Sequence, residues 1–439
     1  MHRIAVVGSG IAGLAAAHRI TNAPGSHCVT LFEAGGHFGG HANTVDIELE
    51  GVAHGVDTGF LVFNRRTYPL LIQLFADLGI TPAESDMSFS VQVPRADGRA
   101  GLEWSGSSLR SVFAQRRNLL RPRFWRMLSE ILRFNRLATA LAEATPGIAL
   151  QGSIGDFLDA QGFTATFREH YLLPMIGCIW SCPTDQMLKF PLGTLIRFCH
   201  NHGLIQVADR PQWYTVAGGS REYVRRMVAR LADARLHSPV LGLQRTGRQV
   251  RLQTRQGSET FDAVVLACHS DQALALLGEG ASPAERAVLG AIRYQPNTAV
   301  LHGDVTVLPQ RRAAWASWNY ERAGSTAAEQ AQVCLHYLIN RLQPLPWQQP
   351  VIVSLNPARP IAEHLVHRRI EYSHPVFDLA ALQAQGRVGE LQGLQRTWFA
   401  GAWCGYGFHE DGLRAGLQAA DGVLQALGAS MLQDHRSAA

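Results

Sequence analysis

Ile4-Ala5-Val6-Val7-Gly8-Ser9-Gly10-Ile11-Ala12-Gly13 opens the chain with a short apolar run and, at once, three glycines in the spacing G-x-G-x-x-G. The run has the character of a strand buried on both faces of a parallel sheet, and Leu14 to Ile20 continues with helical character. Between a strand and a helix the three glycines have separate duties. Gly8 permits the tight turn, Gly10 lets a pyrophosphate approach the backbone, and Gly13 lets the helix pack on the strand, with the helix N-terminus facing the anion. A second strand, Val29-Thr30-Leu31-Phe32, ends at Glu33, twenty residues beyond Gly13. An acidic side chain there would accept bonds from ribose hydroxyls. Strand, glycine turn, helix, strand and acid in this order predict a dinucleotide-binding unit that places Gly8, Ser9, Gly10, Ile11, Ala12, Gly13 and Glu33 against the ligand.

The rest of the chain is consistent with a large folded protein. Its 439 residues are 46% hydrophobic and 17% charged, which excludes a disordered chain, a collagen or a small disulfide scaffold and suggests two or three domains. No apolar run is long enough to span a bilayer. Met1 to Ile20 is superficially leader-like, but its glycines interrupt the apolar stretch and a βαβ pattern continues, so it reads as mature structure. Seven cysteines form no C-x-x-C pair, Cys178 and Cys182 being the nearest, and scattered thiols suit a reducing cytosol. The 18 histidines show no metal-ligand spacing, and no metal is expected. The net charge of +5 is local: Leu109 to Ala142 holds Arg110, Arg116, Arg117, Arg121, Arg123, Arg126, Arg133 and Arg136 against Glu130 alone.

Beyond Glu33 the chain reads Ala34-Gly35-Gly36-His37-Phe38-Gly39-Gly40-His41, then Asn43-Thr44 and Val56-Asp57-Thr58-Gly59. Mid-chain come Trp213 to Tyr223 with Gly218-Gly219, and Ser238-Pro239-Val240 leading to strand-like Val250–Thr254 and Phe261–Ala267. Near the end Thr397 to Gly401 precedes Gly405-Tyr406-Gly407-Phe408-His409-Glu410-Asp411-Gly412 and a helix from Leu413 to Leu427. Together these segments resemble the flavin amine oxidase and phytoene desaturase superfamily. The resemblance implies FAD as cofactor and an α/β fold: a Rossmann-type, glutathione-reductase-like FAD-binding domain with an inserted α+β substrate domain. It places Ala34, Gly39, Gly40, His41, Asn43, Thr44 and Gly59 along the flavin and pyrophosphate. Val240 would hold the adenine side through its backbone, and Gly401, Gly407, Phe408, Asp411, Gly412 and Leu413 would close the site. His41 stands where the superfamily has arginine. A raised imidazole pKa beside the phosphates is the expectation, with flavin affinity falling as pH rises. Ala402 stands where Asp or Glu is usual. Ala314–Tyr320, Tyr337–Gln343 and Gly405–Gly412 look like a bacterial subfamily of predicted NAD/FAD-binding proteins often encoded beside cyclopropane-fatty-acyl-phospholipid synthases.

On this reading the FAD domain takes residues 1–80, 205–290 and 390–439, and the substrate domain 81–204 and 291–389. Related amine oxidases place a lysine near the flavin, but the corresponding stretch, Tyr294-Gln295-Pro296-Asn297-Thr298, has none, and Lys189 is the one lysine of the chain. That loss favours a desaturase-like reaction on an apolar, fatty-acyl or lipid substrate. Amine or polyamine oxidation is the alternative, and a non-catalytic flavin-binding accessory to a lipid-modifying enzyme is another. Trp315, Trp318, Tyr320, Tyr337 and Tyr406 are the expected pocket aromatics, and His409 and Glu410 the expected catalytic pair. From Pro122 a helix is expected with Arg123, Arg126, Glu130 and Arg133 on one stripe and Phe124, Met127, Leu128, Ile131 and Leu132 on another. Such a helix suits peripheral contact with an anionic membrane. No module for nucleic acid accompanies the charge. The expected location is cytoplasmic, peripheral at the inner membrane face.

Overall fold

A computed structural model describes residues 1–94, 100–144, 152–180, 184–207, 209–322 and 333–437; Cys182 lies outside the described residues. A five-stranded sheet runs in the order Asp233–Arg235, His27–Phe32, His2–Val7, Ala263–Leu266, Thr397–Phe399, and every neighbouring pair is parallel. Its inner strands are buried on both faces, as their unbroken apolar runs require. The helix Ile11–Thr21 covers one face together with the long helix His409–Ser437. A side chain at Gly416 would run into the Ala12 carbonyl, so glycine there sets how closely these helices approach. The antiparallel meander Val240–Arg245, Val250–Thr254, Gly257–Phe261 covers the other face, its Val250, Leu252 and Phe261 packing in one core with Phe32. The expected single strand Phe261–Ala267 is broken at Asp262, whose N–H donates to Arg3 O. The chain changes sheet at that residue.

A mixed seven-stranded sheet forms the second half, in the order Val366–Val376, Arg293–His302, Ile352–Leu355, Cys334–Leu338, Trp318–Glu321, Phe89–Pro94, Ala100–Ser105. Helices Pro122–Ala144, Leu173–Trp180 and Leu192–Asn201 accompany it. Strands from 81–204 and from 291–389 join in this one sheet, which supports, as a proposal, treating the two segments as one substrate domain. The proposed cut at residue 80 is less natural, because Pro82–Ser85 pairs with Trp213–Val216 of the opposite segment.

Local chemistry accounts for two element starts. Ser153 caps Ile154–Ala160 by accepting from Asp156 N–H at 3.1 Å, and Asp156 returns the bond to Ser153 N–H. Pro122 begins its helix as expected, with Phe124 and Met127 buried. Leu132, on the expected apolar stripe, is 58% exposed. No described helix is long and apolar enough to cross a membrane.

Candidate active site

The C-terminal ends of the parallel strands open on a cavity of about 700 Å³. This is where open α/β sheets bind their ligands. Gly8 turns the chain with φ of +100°, and a Cβ there would sit 2.8 Å from the Ala267 carbonyl oxygen. A Cβ at Gly13 would strike the Gly8 carbonyl, but one at Gly10 would meet no protein atom within 4 Å. Gly10 therefore borders open cavity at the N-terminus of Ile11–Thr21, where no side chain caps the helix, and the uncapped amides suit a phosphate. Glu33 lies at the same end, accepting from Ser9 N–H at 3.1 Å, Ser9 Oγ at 2.5 Å and Gly35 N–H at 2.7 Å.

Five histidines line the cavity: His41, His202, His269, His374 and His409. His41 stacks on Tyr372 with ring centroids 4.7 Å apart and leans on His374 at 5.2 Å. Its buried Nε2 has no hydrogen-bond partner, an orphaned polar atom of the kind a ligand would satisfy. Burial, then the imidazoles of His374, His269 and His409, push its pKa well below the usual range. Desolvation disfavours the charged ring, and the three imidazoles add to it; the raised value expected beside the flavin phosphates concerns the FAD-bound form. His374 is fixed by a relay. Asn356 Nδ2 donates to Asn297 Oδ1 at 2.7 Å, which leaves Asn297 Nδ2 to donate to His374 Nδ1 at 2.8 Å. With Nδ1 accepting, Nε2 carries the proton in the neutral ring. Desolvation, with His269 nearby, lowers the His374 pKa to about 4.

His409 lines the cavity as expected. It lies face to face on Phe60 at 3.7 Å, with Nε2 3.0 Å from the Tyr223 hydroxyl, and burial lowers its pKa to about 3. It is neutral at physiological pH. Glu410 does not line this cavity. Its carboxylate accepts from Leu70 N–H and Leu71 N–H, each at 3.0 Å, and caps the helix Pro69–Leu78. This corrects the catalytic assignment: the buried carboxylate is held by two amides of a distant helix. Glu410→Ala is expected to leave both amides without their partner and to cost about 1–3 kcal/mol. Thermal unfolding should move down, while the rate of flavin reduction in the folded fraction stays unchanged.

Of the other expected residues, Ser9, Ile11, Ala12, Ala34, Gly39, Gly40, Gly59, Val240, Gly401, Gly407, Phe408, Trp318, Tyr337 and Tyr406 all border the cavity. Several do not. Asn43 donates to the Tyr372 hydroxyl at 3.1 Å, and Thr44 donates to Asp57 at 2.6 Å; both brace the wall from behind. Asp411 accepts from Phe408 N–H at 3.0 Å, Gly412 packs against Ile11, and Leu413 is core. Trp315 gives its indole N–H to Pro309 O at 2.7 Å, beside a separate core cluster. Tyr320 is buried in the main core. Sequence reasoning missed His374, His269, His202, Phe60 and Trp180, all of which line the cavity. The stretch Tyr294–Thr298 marked the right neighbourhood, for Gln295 pairs directly with His374, but nothing in the sequence shows which strand lies alongside.

The model of the family described as flavin containing amine oxidoreductase matches residues 11–303, two-thirds of the chain. The chain belongs to this family. The family is one of flavin-containing oxidoreductases, and the residues present fit FAD: an uncapped helix end, open space at Gly10 and an unpartnered His41 nitrogen. A curated relative, the "Putative flavin-containing monoamine oxidase AofH" of Mycobacterium tuberculosis, is 26% identical over 276 residues, covering 60% of this chain and 56% of the relative. The chain thus spans little more than half the length of the curated relatives it matches. Among solved structures, cyclohexylamine oxidase from Brevibacterium oxydans IH-35A superposes with a TM-score of 0.66 at 17% identity, covering 97% of this chain and 99% of that one. The "CLA-producing fatty acid isomerase from P. acnes" superposes with a TM-score of 0.63 at 16% identity, covering 95% and 97%. At these identities the likeness is one of fold.

Proposed function

We propose that this flavoenzyme dehydrogenates an apolar substrate of fatty-acyl or lipid type, in a cavity that FAD shares. The observation that carries the reading is the lining. Met87, Ile179, Trp180, Phe198, Leu204 and Trp213 supply apolar wall, and among the described lining residues the one carboxylate is Glu33, held by Ser9 and Gly35 at the nucleotide end. An ammonium group moved from water into such walls would lose hydration without gaining an ionic partner. Trp318 also lines the cavity, and its buried indole N–H has no partner among the described residues. A substrate carrying an ester or carboxyl oxygen would give it an acceptor.

Bound flavin supplies the hydride acceptor, and the protein supplies position, dryness and proton control. Gly8 to Ala12, Glu33, Ala34, Gly39 to His41, Gly59, Val240, Gly401, Gly407 and Phe408 are the residues proposed to hold it. His374 presents a fixed Nε2–H. His202 bonds Phe198 O through Nδ1 at 2.9 Å, which leaves Nε2 as an acceptor. Its pKa is lowered to about 4, chiefly by burial, so the ring is neutral at neutral pH and a weak base. Amine oxidation remains the second reading, favoured by the name of the curated relative and by aromatic walls, whose ring faces attract cations. Anaerobic reduction of the flavin by acyl substrates or by amines separates the two.

A further inference from the structure

The sequence places a basic segment between Leu109 and Arg136, and the structure shows what accompanies the charge. The short 3-10 turn Arg116–Leu120 leads into the helix Pro122–Ala144 and forms a knuckle with its first turns. Leu109 is 80% exposed, Leu120 88%, and Leu119 and Trp125 about half. Of the twelve large apolar side chains exposed among the described residues, five lie between 109 and 132, far more than even scatter would give. They are not the core face of the helix turned outward, because Phe124, Met127 and Phe134 already fill that role from within. The helix has a normal buried face and a second apolar set pointing away from it.

Exposed arginines at 110, 116, 121, 123, 126 and 136 are interleaved with these side chains along the chain. The acid that would offset them, Glu130, is buried, and its carboxylate takes the Thr164 hydroxyl and N–H and pairs with Arg126. Trp125 donates its indole N–H to Leu119 O at 2.9 Å and packs on Phe113 with centroids 5.2 Å apart. Its ring therefore brings no unsatisfied donor into an apolar medium. Apolar tips with positive charge among them complement a surface that is oily below and anionic at its rim.

We propose that this knuckle is a shallow insertion wedge for an anionic lipid bilayer: Leu119, Leu120 and Trp125 enter the boundary between headgroups and acyl chains, and the arginines bind lipid phosphates. The attachment is peripheral and reversible. The helix that carries the wedge packs on Leu192–Asn201, which gives Phe198 to the cavity wall, so the bilayer lies on the helical side of the substrate cavity. The wedge does not depend on the substrate reading, since an amine oxidase with this surface would attach equally well.

Sedimentation of the flavin-loaded protein with vesicles tests the wedge, using phosphatidylcholine alone and phosphatidylcholine mixed with phosphatidylglycerol. Binding should rise with the anionic fraction and fall in high salt. Leu120→Ser and Leu119→Ser should each weaken partitioning about tenfold, and Arg116→Glu, Arg121→Glu and Arg123→Glu by at least about fivefold each. Brominated acyl chains should quench wild-type tryptophan emission more than that of Trp125→Phe. The leucines and arginines are exposed, so in those variants flavin content and melting temperature should not change. Equal binding to neutral vesicles would overturn the proposal. So would variants in which loss of arginine abolishes binding while loss of leucine does not, which would mean adsorption of a polyanion without insertion. A dimer in light scattering that Leu120→Ser converts to monomer would likewise overturn it, because the knuckle would then cover a second copy.

Discussion

Gly10→Val protein is expected to purify folded and without flavin. A Cβ at this position meets no protein atom within 4 Å, so the fold has no reason to object. The branched side chain instead occupies the space in front of the uncapped N-terminus of Ile11–Thr21, where the pyrophosphate needs the backbone. Gly13→Ala is the control with the opposite behaviour. Its methyl would strike the Gly8 carbonyl, in a turn whose φ of +100° at Gly8 allows little adjustment. Overpacking of this kind costs about 3 kcal/mol or more when backbone must move. Absorbance in the visible range and a melting curve distinguish the two. A yellow Gly10→Val protein would mean that the cofactor does not lie on this turn.

Acid should unfold the protein well above the usual carboxylate range. Burial lowers the pKa of His202, His302 and His374 to about 4 and that of His409 to about 3. In the unfolded chain the same groups titrate near 6.5. A depressed folded pKa contributes stability that is fully present above the unfolded value and is lost as pH falls below it. Each such group costs about 1.4 kcal/mol per pH unit once the unfolded chain is protonated. Four of them remove about 4 kcal/mol between pH 6.5 and 5.5, a large part of the stability of many domains. Asp411 opposes this weakly: burial raises its pKa to about 6, so protonation there relieves the folded state as pH falls below that value. His336 sets the alkaline side. Desolvation works against its charge, but Cys334 and the Glu321 carboxylate at 2.9 Å outweigh it and raise the pKa to about 9. Its contribution is therefore present below 6.5 and lost as pH rises through about 9. The melting temperature should plateau near neutrality and drop steeply between pH 6.5 and 5. His409→Phe should make the acid limb shallower by about one group. A melting temperature unchanged down to pH 5 would contradict the buried neutral cluster.

What was legible in the sequence is what local chemistry determines. The glycine turn, Glu33 and the buried strands on either side are written in contiguous residues, and the structure places them at one end of one parallel sheet. The Ser153 cap and the Pro122 start are equally local. Long-range placement was not legible. Glu410 follows His409 in sequence and reads as a second polar group beside the flavin. Only the packing of His409–Ser437 against Pro69–Leu78 turns its carboxylate onto Leu70 and Leu71. Trp315 and Trp318 differ by three residues, yet one belongs to a separate core cluster and the other lines the cavity. His374 is invisible to any motif, because its role comes from a strand pairing with Gln295 and an amide relay through Asn297 and Asn356. His41 shows the same limit. Its position beside a glycine pair suggests phosphate, while the burial and the three remote histidines that lower its pKa come from the fold.

The most direct test of the central claim is an anaerobic titration of the flavin-loaded enzyme, followed by visible absorbance. The titrants are long-chain acyl lipids and fatty acids on one side, and mono- and polyamines of graded length on the other. The account predicts bleaching of the flavin by an acyl substrate, with a new unsaturation in the recovered product and no bleaching by the amines. Full bleaching by an amine, with the acyl panel inert, would contradict it.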